Sequence, residues 1–185
     1  MEITNIETAV LGSAVDAASL PAQVGARELD ISSVVVKAHT DEGITGLGES
    51  FYRSEENNQF LAQSIDAMGR HVIGKDPQNV KDIWHELYLH VKRAGAYGAL
   101  SAIDEALWDI IGKHAGLPVY QLLGGQTGTV NAYATFPVDK KADELVEYAH
   151  WLNDKGFEAM KIGAGFGVEE DRHRIRTITD GSPDG

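Results

Sequence analysis

The strongest hydrophobic periodicity in the chain lies between residues 99 and 125. Apolar side chains recur there at helical spacing from Leu100 to Ile111, which predicts a helix that is buried along its length. Gly116 stands where a left-handed C-terminal cap is expected, and Pro118 cannot continue the helix. A short second turn should therefore follow and end at Gly124–Gly125.

Three segments nearer the N-terminus have the pattern typical of β-strands. They cover Ile3–Leu11, Ile31–Ala38 and Ile44–Glu49, and Thr40-Asp41-Glu42-Gly43 supplies turn residues between the last two. The simplest arrangement is a three-stranded antiparallel meander. Residues 12–29 are small, polar and aperiodic, and they predict a long loop that is either functional or disordered.

Two further amphipathic helices are predicted between the strands and the central helix. Ser54 can cap a helix that begins at Glu55, and Asp76-Pro77 starts another with proline at the first helical position. Because the strands and the helices are segregated along the chain, an α+β domain is indicated. The predicted inner faces comprise Phe60, Leu61, Ile65, Met68 and Val72 in the first helix and Val80, Ile83, Trp84, Leu87 and Val91 in the second.

After Gly125 the pattern changes from segregated to alternating. Strand, helix, strand and helix follow one another at a spacing that implies parallel pairing with a right-handed crossover. We interpret this part as the first two βα units of a (β/α) barrel, which is incomplete here because such a barrel has eight units in about 250 residues. The predicted segments are Val130–Phe136, 142–152, Phe157–Ile162 and Val168–Ile178, and the predicted domains are 1–125 and 126–185.

Composition narrows the possible functions. The formal net charge of −12 disfavours nucleic acid and anionic membranes as partners, since these bind clustered Lys and Arg. The absence of cysteine excludes disulfides, thiolate nucleophiles and Cys-ligated metals. No apolar run is long enough for a membrane span and no secretory signal is recognisable, so a cytoplasmic protein is expected.

Three segments of the sequence together resemble the mandelate racemase/muconate lactonizing branch of the enolase superfamily. They are SAIDEALWDI at Ser101–Ile110, GLPVYQLLGG at Gly116–Gly125 and TDEGITGLGE at Thr40–Glu49. The resemblance covers essentially the whole chain. It implies that residues 1–125 form the lid domain that precedes the barrel in that family.

Lys161 is the first candidate for a catalytic residue. Strand side chains alternate, so if Met160 and Ile162 pack against the helices, Lys161 faces the barrel interior near the carboxyl end of its strand. A lysine whose pKa is lowered by burial or by a neighbouring cation can act as a general base. The alternative is a lysine that extends to solvent at a strand end.

The family resemblance adds detail at this strand. The family carries Lys-x-Lys there; Lys161 matches the first lysine, and Gly163 stands where the second would be. The resemblance implies that the second lysine takes or returns an α-proton while the first lowers its pKa. It also places Thr135 near the substrate, although strand propensity explains a threonine there equally well.

The resemblance further implies that Phe51, Tyr52 and Arg53 close over the active site and influence substrate choice. Arg53 could pair with a substrate carboxylate, or it could be a plain surface arginine. The implied reaction is abstraction of a proton α to a carboxylate, as in sugar-acid dehydratases and racemases, with cycloisomerases and epimerases as alternatives. It would require Mg²⁺, whose ligands in the family come from later strands, beyond residue 185. The 185 residues alone are therefore expected to be inactive.

Two other interpretations remain open. Gly163-Ala164-Gly165-Phe166-Gly167 lies between a strand and a helix, the setting of a phosphate-binding loop, but its spacing differs from G-x-G-x-x-G. The chain could also be a non-catalytic product that folds as a lid and associates with a partner. A small carboxylate or sugar acid is the expected ligand, and a homo-oligomer is the expected assembly, because the barrel strands would offer unpaired apolar edges.

Overall fold

A computed structural model describes residues 1–15, 29–51, 55–126, 128–135 and 141–182. Contacts divide them into two compact units, the first made of 1–14 with 30–126 and the second containing everything described after residue 126. The elements in chain order are β1 (Ile3–Val15), β2 (Leu29–Thr40), β3 (Thr45–Ser50), α1 (Glu55–Gly69), α2 (Val80–Ala94), α3 (Tyr97–Ala115), α4 (Val119–Leu122), β4 (Ala134–Thr135), α5 (Ala142–Asp154), β5 (Met160–Lys161) and α6 (Val168–Gly181).

The first unit contains a three-stranded sheet in the order β1-β2-β3. β2 and β3 are antiparallel, with a register that runs from Val34 opposite Ser50 to His39 opposite Thr45. The turn between them is closed by the Gly43 N–H, which donates to the Thr40 carbonyl at 3.2 Å. The predicted antiparallel meander is confirmed, and both β1 and β2 extend beyond their predicted limits.

Helix α3 lies directly on β3, and two glycines allow this close approach. A Cβ added to Gly46 would lie 2.0 Å from the Ala106 carbonyl oxygen, and one added to Gly48 would lie 1.9 Å from that of Ala102. Any side chain at these two positions would have to displace helical backbone. The strand and the helix therefore meet backbone to backbone, with small alanines on the helical side.

The edge of β3 that faces away from β2 is closed by side chains of α3. The Leu47 N–H donates to Asp109 Oδ2 at 2.7 Å, the Glu49 N–H donates to Glu105 Oε2 at 3.1 Å, and Lys113 Nζ donates to the Thr45 carbonyl at 2.7 Å. Four helical residues rise about 6 Å, and two strand residues span about 6.7 Å. Because these repeats nearly match, residues one helical turn apart reach alternate residues of the strand.

The helical predictions hold apart from the following differences. α1 ends at Gly69, so Val72, which was expected on its inner face, lies in the turn after the helix although it is buried. The α3 helix ends as expected, with Gly116 in the left-handed region at φ 66°, and α4 is the predicted short turn. α2 begins at Val80 rather than at Pro77, because the Asp76 side chain accepts the Gln78 N–H and its carbonyl accepts the Asn79 N–H, which forms a turn before the helix. Phe60 was expected on the inner face of α1 but is 66% exposed. α6 extends three residues past its predicted end.

The core of the first unit is formed by the inner faces of the sheet and of α1, α2 and α3. Its largest fully buried side chains include Ile3, Leu61, Ile65, Leu87, Ile103, Leu107 and Ile110. One buried polar pair interrupts it, since Asn58 Nδ2 donates to the Ser32 carbonyl at 3.1 Å and to its hydroxyl. No helix in the described ranges is long and apolar enough to cross a membrane.

The second unit is a short β-α-β arrangement followed by α6. β4 and β5 are parallel, as expected at the start of a barrel, but each contains only two residues. The predicted strands Val130–Phe136 and Phe157–Ile162 were therefore too long, and Phe136 lies outside the described residues. Within the described residues, the two segments pair over Ala134–Thr135 and Met160–Lys161 only, and strand propensity alone does not supply a hydrogen-bonding partner for the other positions.

Candidate functional site

Lys161 and Thr135 lie side by side at the carboxyl ends of the two parallel strands. Their Cα atoms are register partners in the β4–β5 pair, as are those of Ala134 and Met160. The pairing is fixed by a hydrogen bond from the Ala134 N–H to the Ala159 carbonyl at 3.1 Å. Both candidate side chains are exposed, so they can reach a common ligand.

The neighbours of Lys161 on its own strand lie on the opposite face. Met160 and Ile162 pack against a cluster formed by Leu145, Tyr148 and Leu152 of α5. Ala134, the neighbour of Thr135, packs against the same cluster, as does Ile178 of α6. Strand alternation therefore directs Lys161 and Thr135 away from the helices, as the sequence pattern predicted.

The glycine-rich loop after β5 is occupied by a carboxylate of the chain itself. The Gly165 N–H donates to Asp171 Oδ2 at 2.9 Å, and the Phe166 N–H donates to Asp171 Oδ1 at 3.2 Å. The first turn of α6 carries three acidic residues, Glu169, Glu170 and Asp171. These N–H donors already bind one carboxylate, and the same helical turn carries two more. Such a loop does not suit a phosphate, so the phosphate-binding interpretation is not supported.

Asp171 and Arg174 are the residues at this end of the second unit that sequence reasoning missed. Arg174 is only 4% exposed, and its guanidinium carbon lies 4.5 Å from the centre of the Phe166 ring. Both residues lie on α6, three positions apart, and both contact the loop that follows Lys161. The sequence signal that could have indicated this contact is Asp171 itself, an acidic residue four positions after Gly167, the last glycine of the loop.

The candidate residues after β3 are only partly described. Phe51 belongs to the first unit and is 64% exposed, so it is available to a ligand or to another surface. Tyr52 and Arg53 lie outside the described residues. Their expected role in substrate choice remains a prediction.

The described residues do not form a binding site for a divalent cation. Among residues 1–15, 29–51, 55–126, 128–135 and 141–182, no three His, Cys, Asp or Glu side chains are grouped so that they could hold a metal ion. His71 and His90 do stack, with ring centres 4.3 Å apart, beside the Lys75–Glu86 ion pair. The hydrogen bond from Lys75 is the main cause of the lowered pKa of Glu86. The described residues therefore do not fit Mg²⁺.

A separate surface groove of about 310 Å³ lies within the second unit, between α5, β5 and α6. Leu152, Met160, Ile162 and Ile178 contribute its apolar walls, and Asn153 and Glu158 line it too. Since Met160 and Ile162 line this groove, it lies behind the strand, opposite Lys161. It is therefore not part of the candidate site.

The fold and the site define an α+β domain followed by the parallel βα units that begin a barrel. The family model for the mandelate racemase/muconate lactonizing enzyme N-terminal domain matches residues 5–124. The chain belongs to this family, within the enolase superfamily. The resemblance seen in the three sequence segments is thus confirmed.

Individual relatives extend the match past residue 124. The chain is 36% identical over 191 aligned positions to the D-galactarolactone cycloisomerase of Agrobacterium fabrum, covering 97% of this chain and 48% of that one. It is 37% identical over 143 positions to the D-galactonate dehydratase of Pectobacterium atrosepticum, covering 73% and 35%. A solved structure of the dipeptide epimerase from Enterococcus faecalis, complexed with Mg and the dipeptide L-Leu-L-Tyr, has a TM-score of 0.81 at 28% identity and covers 98% and 51%. The chain thus spans half or less of the curated relatives' length.

Proposed function

We propose that this chain supplies the lid domain, residues 1–125, and the first two barrel βα units, residues 126–185, of an enzyme that removes the proton α to the carboxylate of a sugar acid. Dehydration and cycloisomerisation are the favoured outcomes, since the relatives named above include a D-galactonate dehydratase and a D-galactarolactone cycloisomerase. Racemisation and dipeptide epimerisation are the alternatives, the latter because of the structural match to an epimerase. We expect the complete activity to require Mg²⁺ held by residues outside the described part.

The observation that carries this proposal is the pairing of Thr135 with Lys161 at the carboxyl end of a parallel β-pair. In barrel enzymes the reacting groups lie at the carboxyl ends of the strands, whereas the opposite end contributes to stability. Lys161 is on the face away from the helices, so its amine is available to a substrate rather than to the core.

The chemistry assigned to this face needs one lysine amine and one hydroxyl. The Lys161 side chain would take the proton from the α-carbon, whose electron pair would then be shared with the carboxylate as an enediolate. Thr135, on the neighbouring strand, can donate a hydrogen bond to a substrate oxygen. Because glycine occupies position 163, this face has a single lysine at the strand end, and Lys161 must act without the second lysine of Lys-x-Lys.

A chimera tests this role directly. This chain would be joined to the remaining half of the A. fabrum cycloisomerase, and Mg²⁺-dependent exchange of the α-proton of D-galactonate and D-galactarolactone would be followed by NMR in D₂O. We expect exchange in the chimera and a loss of about 100-fold or more in Lys161→Met, the range typical of a lost acid–base group.

Lys155→Met is the matched control for that chimera. It removes the same charge from the same unit, where the amine lies 5.9 Å from the centre of the Trp151 ring on α5. Exchange in Lys155→Met should stay within twofold of the parent. Equal exchange in the parent and in Lys161→Met would refute the role of Lys161. The isolated 185-residue chain should show no Mg²⁺-dependent exchange.

A second candidate function is a non-catalytic one, in which the folded chain binds a partner through the second unit. The observation that favours it is the number of large apolar side chains exposed in that unit, including Val130, Tyr133, Phe166, Val168 and Ile175. We expect concentration-dependent association of the 185-residue chain in sedimentation velocity. A monomer throughout the micromolar range would count against this function and leave the enzymatic proposal in place.

A further inference from the structure

The loop 163–167 begins two residues after Lys161, and its glycines leave its backbone conformation weakly determined. Gly165 and Gly167 have φ angles of 110° and 113°, a region that side-chain-bearing residues rarely adopt. Glycine permits this path but also permits many others, so a single loop conformation needs contacts from elsewhere. Those contacts come from α6.

Asp171 makes the first of these contacts. Its two carboxylate oxygens each accept one backbone N–H, from Gly165 and from Phe166. Two consecutive peptide groups are thereby held by one side chain. The loop is thus tied at two neighbouring positions to the first turn of α6.

Arg174 makes the second contact, one helical turn further along the same face of α6. Its guanidinium lies over the Phe166 ring, and the side chain is buried although the ring is 46% exposed. A residue four positions later, Ile178, packs against the same apolar cluster of α5 as Met160 and Ile162 do. One face of α6 therefore holds the strand that carries Lys161 and also the loop that follows it.

We infer that Asp171 and Arg174 are positioning residues, which fix the loop 163–167 as a rigid wall beside Lys161 rather than a mobile lid. Without them the glycines would let the loop move, and the space around the Lys161 amine would change with it. The inference rests on the proposed function for its purpose. The contacts that support it are independent of that function.

Amide exchange and lysine labelling in the intact 185-residue chain test this inference together. Exchange with water at the Gly165 and Phe166 amides would be measured by NMR, and acetylation of Lys161 and Lys155 by acetic anhydride would be measured by mass spectrometry. The variants are Asp171→Ala, which removes both acceptor oxygens, Asp171→Asn, which keeps one, and Arg174→Lys, which keeps the charge but loses the flat guanidinium. Glu170→Gln removes one charge from the same helical turn and is the matched control.

We expect Asp171→Ala to accelerate exchange at both amides at least tenfold and to change the acetylation rate of Lys161 at least threefold while that of Lys155 stays constant. Asp171→Asn and Arg174→Lys should give smaller changes in the same direction, and Glu170→Gln should match the parent within twofold. Protected amides in α6 would show that each variant is folded.

Two results would overturn the inference. One is unchanged exchange at Gly165 and Phe166 in Asp171→Ala. The other is faster exchange with an unchanged rate of Lys161 acetylation, which would reduce the contact to a purely structural one. Neither readout uses a substrate or a metal. An inactive chimera would therefore refute the proposed function without deciding this question, and the two failures can be told apart.

Discussion

The two β-sheets of this chain end in opposite ways. In the first unit the outer edge of β3 is closed by Glu105, Asp109 and Lys113, which use the backbone groups that a fourth strand would otherwise take. In the second unit, β4 and β5 pair only with each other in the described ranges, over two residues each. A closed edge limits association, whereas an open edge invites another strand.

The hydrophobic cores of the two units also differ, and the core of the first unit is the larger. The first unit buries a large cluster contributed by its sheet and by three helices. The second buries Leu145, Tyr148 and Leu152 with a few half-buried neighbours. The first unit thus has the packing of a self-sufficient domain. The second carries the candidate chemistry on a scaffold with much less burial of its own.

We expect the largest loss of stability from substitutions that remove buried side-chain volume, and this loss should be larger in the first unit than in the second. Ile103→Ala, at a fully buried site in α3, should lower the free energy of unfolding by about 4 kcal/mol, within the usual range for large-to-small core changes. Leu145→Ala is equally buried but should cost only about 2 kcal/mol, because its smaller cluster can collapse around the gap. Urea unfolding followed by circular dichroism measures both. Equal losses would contradict the difference in core quality.

A methyl group at the α3–β3 contact should have the next largest effect. Gly48→Ala would place its Cβ against a helical carbonyl that cannot move aside by a rotamer change, and we expect a loss of about 3 kcal/mol. Gly12→Ala is the control, since no atom lies within 4 Å of its added Cβ, and it should change stability by less than about 0.5 kcal/mol. The midpoints of urea unfolding compare the two. A tolerated Gly48→Ala would mean that helix and strand are not in backbone contact.

Removing a side chain that closes the outer edge of β3 should lower the stability moderately. Asp109→Ala removes the acceptor of the Leu47 N–H and the partner of Lys113, for which we expect a loss of about 1 kcal/mol. Asp109→Asn keeps one acceptor oxygen and should lose less. The Leu47 amide should also exchange faster in Asp109→Ala. No change in either quantity would show that water replaces the carboxylate without cost.

The smallest effect concerns Asp104, and its size depends on pH. Burial raises the pKa of this carboxyl above its usual value, and the neighbouring Glu105 raises it further. Because the folded state disfavours the ionised form, the cost is fully present above the raised pKa and disappears as the pH falls below the ordinary value of about 3.9. Asp104→Asn should therefore be slightly more stable than the parent at pH 7, by less than the Asp109 loss.

Unfolding of the parent and of Asp104→Asn at pH 7 and near pH 4 measures this difference. The advantage of the variant should shrink toward acid pH. An advantage that grows as the pH falls would contradict the burial of this carboxylate.

Local patterns predicted the first unit well because its elements satisfy local rules. The apolar stripe of α3 and the glycine cap at 116 are both encoded within a few residues, and both are confirmed. The start of α2 was wrong because the Asp76 side chain satisfies the following peptide groups, and proline statistics do not include that competition. The closure of the β3 edge by α3 could not be predicted, since it joins residues 56 to 68 positions apart.

In the candidate site, too, local patterns predicted what depends on adjacent residues but missed the contacts between distant ones. Alternation along β5 correctly separated Lys161 from Met160 and Ile162, because that rule depends only on adjacent residues. The contacts of Asp171 and Arg174 with the loop were missed, since they require knowledge of how α6 packs. The lengths of β4 and β5 were overestimated because strand propensity does not reveal whether a partner strand is present.

Native-state hydrogen exchange across the intact chain tests the division between the two units most directly. Amides of Ile103 and Leu107 in α3 should open only with global unfolding of the first unit. Amides of Ala134 and of Leu152 should exchange at least about 100-fold faster, because less burial protects them. Equal protection in the two units would contradict the central claim that stability resides in the first unit, while the second presents the candidate residues Thr135 and Lys161 on a less buried scaffold.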